Sequence, residues 1–273
     1  LAKFGTAVVV LFNNTIGTLP TRNYNEGQFE SCEPLSGEKM AETILKERDT
    51  CYACVVRCKR VVEIKDGAYK ADPRYGGPEY ETLGTFGSYC GISDLAAVSL
   101  ANQICNEYAV DTIACGATIA FAMECFEKGI ITTKETDGLE LKFGNTEAML
   151  KALNQIVRNE GALGTVLSQG SERAAKIWGR GADECLTTCK GAESPAHMPQ
   201  AKRSLALIYA VNPFGADHQS SEHDPYYEEG VADFNLDRLK QIGLGAPQPA
   251  YSLTEEKVRF AYETEVFYSM TDS

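Results

Sequence analysis

The chain has no apolar run near the roughly 20 residues that a membrane-spanning helix needs, so it is expected to stay out of the bilayer. It has no surplus of positive charge. Its 26 lysines and arginines face 38 aspartates and glutamates, and the net charge of −12 excludes a nucleic-acid partner, because nothing neutralises phosphates in bulk. An acidic surface of this kind keeps a protein soluble and also suits a small soluble partner. No secretory signal is recognisable, and several of the ten cysteines sit inside apolar helical patterns. A disulfide-stapled secreted domain is therefore excluded in favour of a reduced, cytoplasmic setting. Strand and helix patterns do not alternate, which argues against a doubly wound sheet. Internal repeats and low-complexity tracts are absent as well.

What is there is mostly helix. Ser36 is placed to cap a helix reaching about Arg48, with Met40, Ile44 and Leu45 on one face. The apolar run over 61–64, followed by Lys65-Asp66-Gly67, reads as a short strand and turn. Ser93 is placed to cap a helix over 94–108, whose Leu95, Val98, Ala101, Ile104 and Cys105 keep the spacing of a buried stripe. Residues 112–128 are apolar almost all round, which marks a central helix stopped by Gly129. Further helices are expected from Asn145 or Thr146 to a stop at Gly161, over 171–178, and from Thr254 onward.

The expected fold class is all-α: a multihelical chain of two packed helical subdomains, with minor short strands near the N-terminal part. A break rich in Gly, Pro and Ser over 181–199 separates a helical domain over 1–185, which carries the cysteine motif, from a second over 186–273. Both ends look cut. The chain starts at Leu1 and stops at Ser273 directly after a helical pattern, so the second domain reads as truncated at its C-terminal end.

Cys51, Cys54 and Cys58 form the sharpest local signal. The two-residue gap lets Cys51 and Cys54 reach one small ion or cluster, and one further turn brings in Cys58. A 4Fe–4S cluster takes four thiolates, so one ligand must come from elsewhere. Zinc is the chemical rival, although a second cysteine pair at knuckle spacing does not follow. Three packing cysteines are the plain alternative. Arg57, Lys59 and Arg60 would stabilise electron-rich sulfur, or else are solvated charges. An iron–sulfur or zinc module for electron transfer or binding, without catalysis, is thus open on these residues alone.

The cluster stands within an ordered series of motifs. Gly5-Thr6 and Leu19-Pro20-Thr21-Arg22-Asn23 precede it. Gly77-Pro78-Glu79-Tyr80-Glu81-Thr82, Asp111-Thr112-Ile113 and Ala122-Met123-Glu124-Cys125-Phe126-Glu127-Lys128-Gly129 follow, then Lys190-Gly191-Ala192-Glu193 and Tyr209-Ala210 with His218. In this order, and with that cysteine spacing, the chain resembles the helical C-terminal domains of the aldehyde:ferredoxin oxidoreductase family of tungsten–pterin enzymes. The resemblance implies a fragment of an iron–sulfur oxidoreductase that oxidises aldehydes to carboxylic acids. Such an enzyme holds tungsten, or molybdenum, between two pterin dithiolenes and passes electrons through a 4Fe–4S cluster to ferredoxin. The sheet-rich pterin-binding base is not in this chain, so the fragment is not expected to bind the pterin by itself.

The resemblance also assigns residues. Cys51, Cys54 and Cys58 would ligate the cluster, and Asp272 would open the D-x-x-G-L-C motif that carries the fourth cysteine, beyond the last residue. Glu81 matches the glutamate beside tungsten, where a raised pKa would let it accept a proton. Glu79 is the competing assignment, and a helix-end surface carboxylate the plain one. His218 matches the active-site histidine, which would donate to a substrate carbonyl or shuttle a proton, with His223 near it and His197 more distant. Asn106 and Asp111 fall at the first pterin motif. Asp111 would accept from pterin nitrogens, and Asn106 replaces the leading aspartate; a helix end followed by an N-cap is the alternative. Cys90 reads as a packed or loop cysteine, Cys105, Cys115 and Cys125 as core, and Cys185 and Cys189 as structural. The implied partners are ferredoxin and a small aldehyde, with no nucleic acid and no membrane; a homo-oligomer is compatible. The same-family alternative is a catalytic subunit that reduces an aromatic acyl-CoA thioester.

Overall fold

The structure, a computed structural model describing residues 1–231 and 233–271, is mostly helical, with eleven α-helices and two two-stranded sheets among the described residues. None of these helices is long and apolar enough to cross a membrane. The chain divides between Thr187 and Thr188 into two compact units. The first runs through α1 (Val9–Thr15), α2 (Gly37–Thr43), β1 (Leu45–Arg48), β2 (Arg60–Val62), α3 (Tyr80–Thr85), α4 (Leu95–Tyr108), α5 (Thr112–Glu127), α6 (Thr146–Arg158), α7 (Gly161–Leu167) and α8 (Ser171–Trp178). The second holds β3 (Thr188–Cys189), β4 (Ala192–Glu193), α9 (Arg203–Val211), α10 (Asp233–Lys240) and α11 (Glu255–Thr271).

Short polar side chains start the long helices of the first unit. Asp94 accepts from the amides of Ala96 (2.9 Å) and Ala97 (3.0 Å), and Asn145 from that of Ala148 (3.1 Å). Each satisfies N–H groups that the first helical turn leaves without a partner. Asp94 thus takes the capping position expected of Ser93. α4 and α6 end on left-handed residues, Ala109 (φ 53°) and Asn159 (φ 54°), so α6 stops before the expected Gly161. α5 is central, as its composition demands: every residue from Cys115 to Cys125 is buried, and α3, α4, α6 and α8 all pack on it.

The helix expected over 36–48 is shorter than its pattern. Ser36 does cap it, accepting from the Lys39 amide at 3.1 Å, but it ends at Thr43. Leu45–Arg48 instead pairs antiparallel with β2, Leu45 opposite Val62 and Arg48 opposite Arg60. Lys46 reinforces the pairing through Glu63 at 2.9 Å. A two-turn helix is a weak competitor for a segment that a neighbouring strand can bond along its length.

Glu135 secures the loop after α5. Its carboxylate accepts the Thr132 amide and hydroxyl (both 2.8 Å) and the Arg180 guanidinium (3.1 Å). These bonds, in that order, hold its pKa down to about 2 from an ordinary 4.5. A carboxyl depressed in the folded state adds stability above its unfolded pKa and loses it as pH falls through the folded one. Thermal scans of Glu135→Gln are therefore expected to lie below wild type at neutral pH and to converge with it as pH falls from 4.5 to about 2. A constant offset down to the lowest pH would remove this carboxylate from the explanation.

In the second unit α9 packs against α11, and Tyr227, Leu239, Leu244 and Phe260 form an apolar core. Lys257 of α11 and Asp224 meet at 2.7 Å with both side chains 0% exposed.

Candidate metal centre and active-site residues

The β1–β2 hairpin presents the cysteine loop. The Asp49 amide donates to the Lys59 carbonyl (3.0 Å) at its neck. Within it the Cys54 amide donates to the Cys51 carbonyl (3.0 Å), and the Thr50 hydroxyl to the Cys54 carbonyl (2.6 Å). Ala53 and Arg57 take left-handed φ of 57° and 55°, which turn the backbone twice between Cys51 and Cys58. Cys51 is exposed, and Cys54 and Cys58 are half-buried. Their neighbours Tyr52 and Val55 stand out at 103% and 92% exposure. Cys32, Cys90, Cys105, Cys115, Cys125 and Cys185 are all buried, and Cys189 donates its thiol to the Tyr209 carbonyl at 2.9 Å. Exposure sets the three grouped cysteines apart from these six buried ones, while Cys189 is half-buried like Cys54 and Cys58. Burial, then the charges of Glu79, Cys51 and Cys54, raise the Cys58 pKa, against a bond from its own amide. A bound cation would reverse that repulsion among thiolates.

Of the basic residues expected beside sulfur, Lys59 pairs with Asp49 at 3.0 Å, while Arg60 is buried and turned to main-chain carbonyls.

The structure separates the two candidate glutamates. Glu79 accepts a short hydrogen bond from the Thr6 hydroxyl, which itself accepts from the Tyr80 amide at 2.9 Å. Burial raises the Glu79 pKa, with Thr6 and the charge of Arg60 opposing. Glu79 thus belongs to the surroundings of Cys58. Glu81, in the first turn of α3, looks elsewhere. Its charge acts on the buried Tyr89 phenol, whose pKa is pushed well up by burial first, then by Tyr24 and Glu81. Cys90 is fully buried, with its thiol 3.3 Å from the Thr85 carbonyl, and burial raises its pKa far above the usual thiol range. It is a packed cysteine.

Asn106 and Asp111 flank the α4–α5 turn, both exposed. Asn106 donates its amide to the Asn102 carbonyl (2.8 Å). Asp111 caps α5 by accepting from Ile113 (3.2 Å) and Ala114 (3.0 Å). It also stands on the rim of an open groove of about 370 Å³, lined mainly by apolar residues such as Ile156, Val157 and Leu167. Capping uses part of its acceptor capacity and leaves lone pairs facing solvent. Asp272 lies outside the described residues.

In the second unit His218 has two companions. Its ring centroid is 5.0 Å from that of His197 and 6.3 Å from that of His223, and the latter two are 4.5 Å apart. His223 donates through Nε2 to the His218 carbonyl (2.8 Å), leaving Nδ1 a buried acceptor with no hydrogen-bond partner among the described residues. Lys202 Nζ, itself buried, lies 2.6 Å from His197 Nδ1. Burial, then Lys202 and His218, push the His197 pKa well below its usual value; burial, His197 and Lys202 do the same to His223. Both shifts favour the neutral imidazole. Such a group can move a proton or face an anion. His197 carries no local motif, since only folding brings it to His218.

Comparison with known proteins concerns the chain as a whole. The family described as "Aldehyde ferredoxin oxidoreductase, domains 2 & 3" matches the chain over residues 1–273. A tungsten-containing aldehyde ferredoxin oxidoreductase from Thermococcus kodakarensis is 38% identical over 222 residues, covering 80% of this chain and 35% of that protein. The WOR-like subunit of an aliphatic sulfonate oxidoreductase from Pyrococcus furiosus is 30% identical over 208 residues, 74% of this chain and 33% of that one. The chain thus spans about a third of the length of the curated relatives it matches. Among solved structures, the active-site complex BamBC of benzoyl coenzyme A reductase with 1,5-dienoyl-CoA shares the fold, with a TM-score of 0.63 at 20% identity, covering 91% of this chain and 36% of the other.

Proposed function

Because this chain belongs to the aldehyde ferredoxin oxidoreductase family, we propose that it is the cluster-bearing helical portion of a tungsten–pterin enzyme that oxidises aldehydes to carboxylic acids and hands electrons to ferredoxin. The observation that carries this reading is the hairpin loop that presents Cys51 exposed and Cys54 and Cys58 half-buried, while six of the other seven cysteines are buried. When bound, the tungsten–pterin takes up the two electrons of aldehyde oxidation and a 4Fe–4S cluster relays them singly. The three thiolates hold that cluster, with a fourth from elsewhere in the complete enzyme. Ten free cysteines suit a reducing cytoplasm.

The other assignments follow the same reading. Asp111 keeps its capping bonds and accepts pterin N–H groups with its remaining lone pairs, and Asn106 offers its amide beside it. Glu81 takes up a proton released as water adds to the aldehyde carbon. His218, backed by two neutral imidazoles, donates to the carbonyl oxygen.

The test is metal analysis and turnover of the complete enzyme, purified without air. Wild type is expected to hold iron and tungsten and to reduce ferredoxin with aldehydes. Cys58→Ser should lose iron and activity, whereas Cys90→Ser should keep its iron. Zinc in place of iron would overturn the reading. Reduction of an aromatic acyl-CoA thioester, without aldehyde oxidation, would change the substrate class and leave the cluster.

A further inference from the structure

We propose that Arg60 is the positioning residue that presets the cysteine loop for its cluster and supplies a fixed positive charge beneath it, an inference that rests on the cluster-binding reading above. Arg60 is 2% exposed and heads the fully buried side chains by size. Among the described residues its hydrogen bonds go only to main-chain carbonyls. Nε donates to Cys58 (3.1 Å) and Lys59 (3.0 Å), and Nη2 to Arg57 (2.7 Å). Nη1 donates to Lys3 (3.1 Å) and Ala2 (3.4 Å). One planar fork therefore ties the second half of the ligand loop to the N-terminal segment.

The backbone there needs such a tie. Arg57 is left-handed, a conformation that carries a steric cost for a residue with a Cβ. The N-terminal segment presses on the same carbonyl: a Cβ on Gly5 (φ +67°) would lie 2.7 Å from the Cys58 oxygen and 3.0 Å from Arg60 Cγ. The space around that carbonyl admits a guanidinium and little else. Lysine keeps the charge but carries its donors on one atom, so it cannot serve carbonyls on both sides of the fork.

The charge has a second consequence. Burial and Arg48 lower the Arg60 pKa, while Glu79 and Cys58 favour its charged form; a guanidinium keeps its proton regardless. A permanent cation bonded to the main-chain carbonyl of a ligand cysteine favours the more negative, reduced state of whatever the thiolates hold, and so raises its reduction potential.

Arg60→Lys and Arg60→Gln in the complete enzyme test both parts. After reconstitution with ferrous iron and sulfide, iron affinity is expected to fall in both variants, with Gln the worse, on the order of 10- to 100-fold as for other outer-shell partners of metal ligands. In the cluster-free protein, trypsin should nick after Arg57 faster in both variants, at unchanged helical circular dichroism. The reduction potential should drop in Arg60→Gln and stay near wild type in Arg60→Lys, a split that a purely structural role would not produce. Folded variants with wild-type iron and wild-type nicking overturn the proposal, and Arg60→Lys decides if Arg60→Gln does not fold. A wild type that takes up no iron sinks the cluster reading instead, and nicking then reports on the clamp alone.

Discussion

Replacing Lys257 with methionine is expected to destabilise the second unit by about 3–5 kcal/mol, the cost of leaving one charge of a buried pair alone. Lys257 Nζ is 2.7 Å from Asp224 Oδ2 and 2.9 Å from the Pro249 carbonyl, with both charged side chains shut off from water. Asp224 also accepts the Ser204 amide at 2.9 Å and a short bond from the Ser204 hydroxyl. Those donors belong to the first turn of α9, whose dipole favours an anion there, but they cannot replace a full positive charge in a dry site. The pair thus joins α9, the 3-10 turn Asp224–Tyr227 and α11. Urea unfolding followed by the fluorescence of Tyr227 and its neighbours would measure the loss. A midpoint shift equivalent to less than about 1 kcal/mol, the range of an exposed pair, would mean that water reaches Asp224.

Gly116→Ala is the second large effect, and here two terms oppose each other. Alanine inside a helix is favoured over glycine by about 1 kcal/mol. Yet a Cβ at 116 would lie 2.6 Å from Thr85 Cβ, 2.7 Å from its Oγ1 and 2.8 Å from its main-chain carbon. Thr85 cannot rotate away from all three, because its backbone is α3 itself and its hydroxyl is bonded to the Glu81 carbonyl at 2.9 Å. Overpacking of this kind costs about 1–3 kcal/mol and moves the neighbour. The clash wins, since nothing soft stands in its way, and α3 is displaced together with Glu81. Expected is a lowered denaturation midpoint of the first unit. An unchanged midpoint would show that α3 and α5 are looser than they look.

These effects mark the boundary of what the amino-acid order discloses. The buried stripe of α4 and the all-round apolar face of α5 are periodic and local, so pattern alone finds them. The cysteine spacing is equally local and needs no tertiary knowledge. The segment 45–48 has a helical pattern too, but its partner Arg60–Val62 lies beyond the cysteine loop, and long-range pairing leaves no trace in a window of ten residues. The surroundings of Glu79 depend on Thr6, a residue 73 positions away. The company of His218 depends on where Lys202 and His197 are carried by the chain. Arg60 beside three cysteines looks like any surface cation until its five carbonyl acceptors are counted.

The all-round burial of α5 also bears on how this polypeptide must be born. Two of the walls that close over it, α8 and the 3-10 turn Ala182–Cys185, are the last pieces of the first unit to be made. At roughly 5–20 residues per second, a ribosome needs about 3–10 s to add the ~50 residues between them and the helix. For that interval the nascent chain carries a greasy cylinder with two of its six walls missing, a natural handhold for chaperones and a liability whenever translation stalls before Trp178.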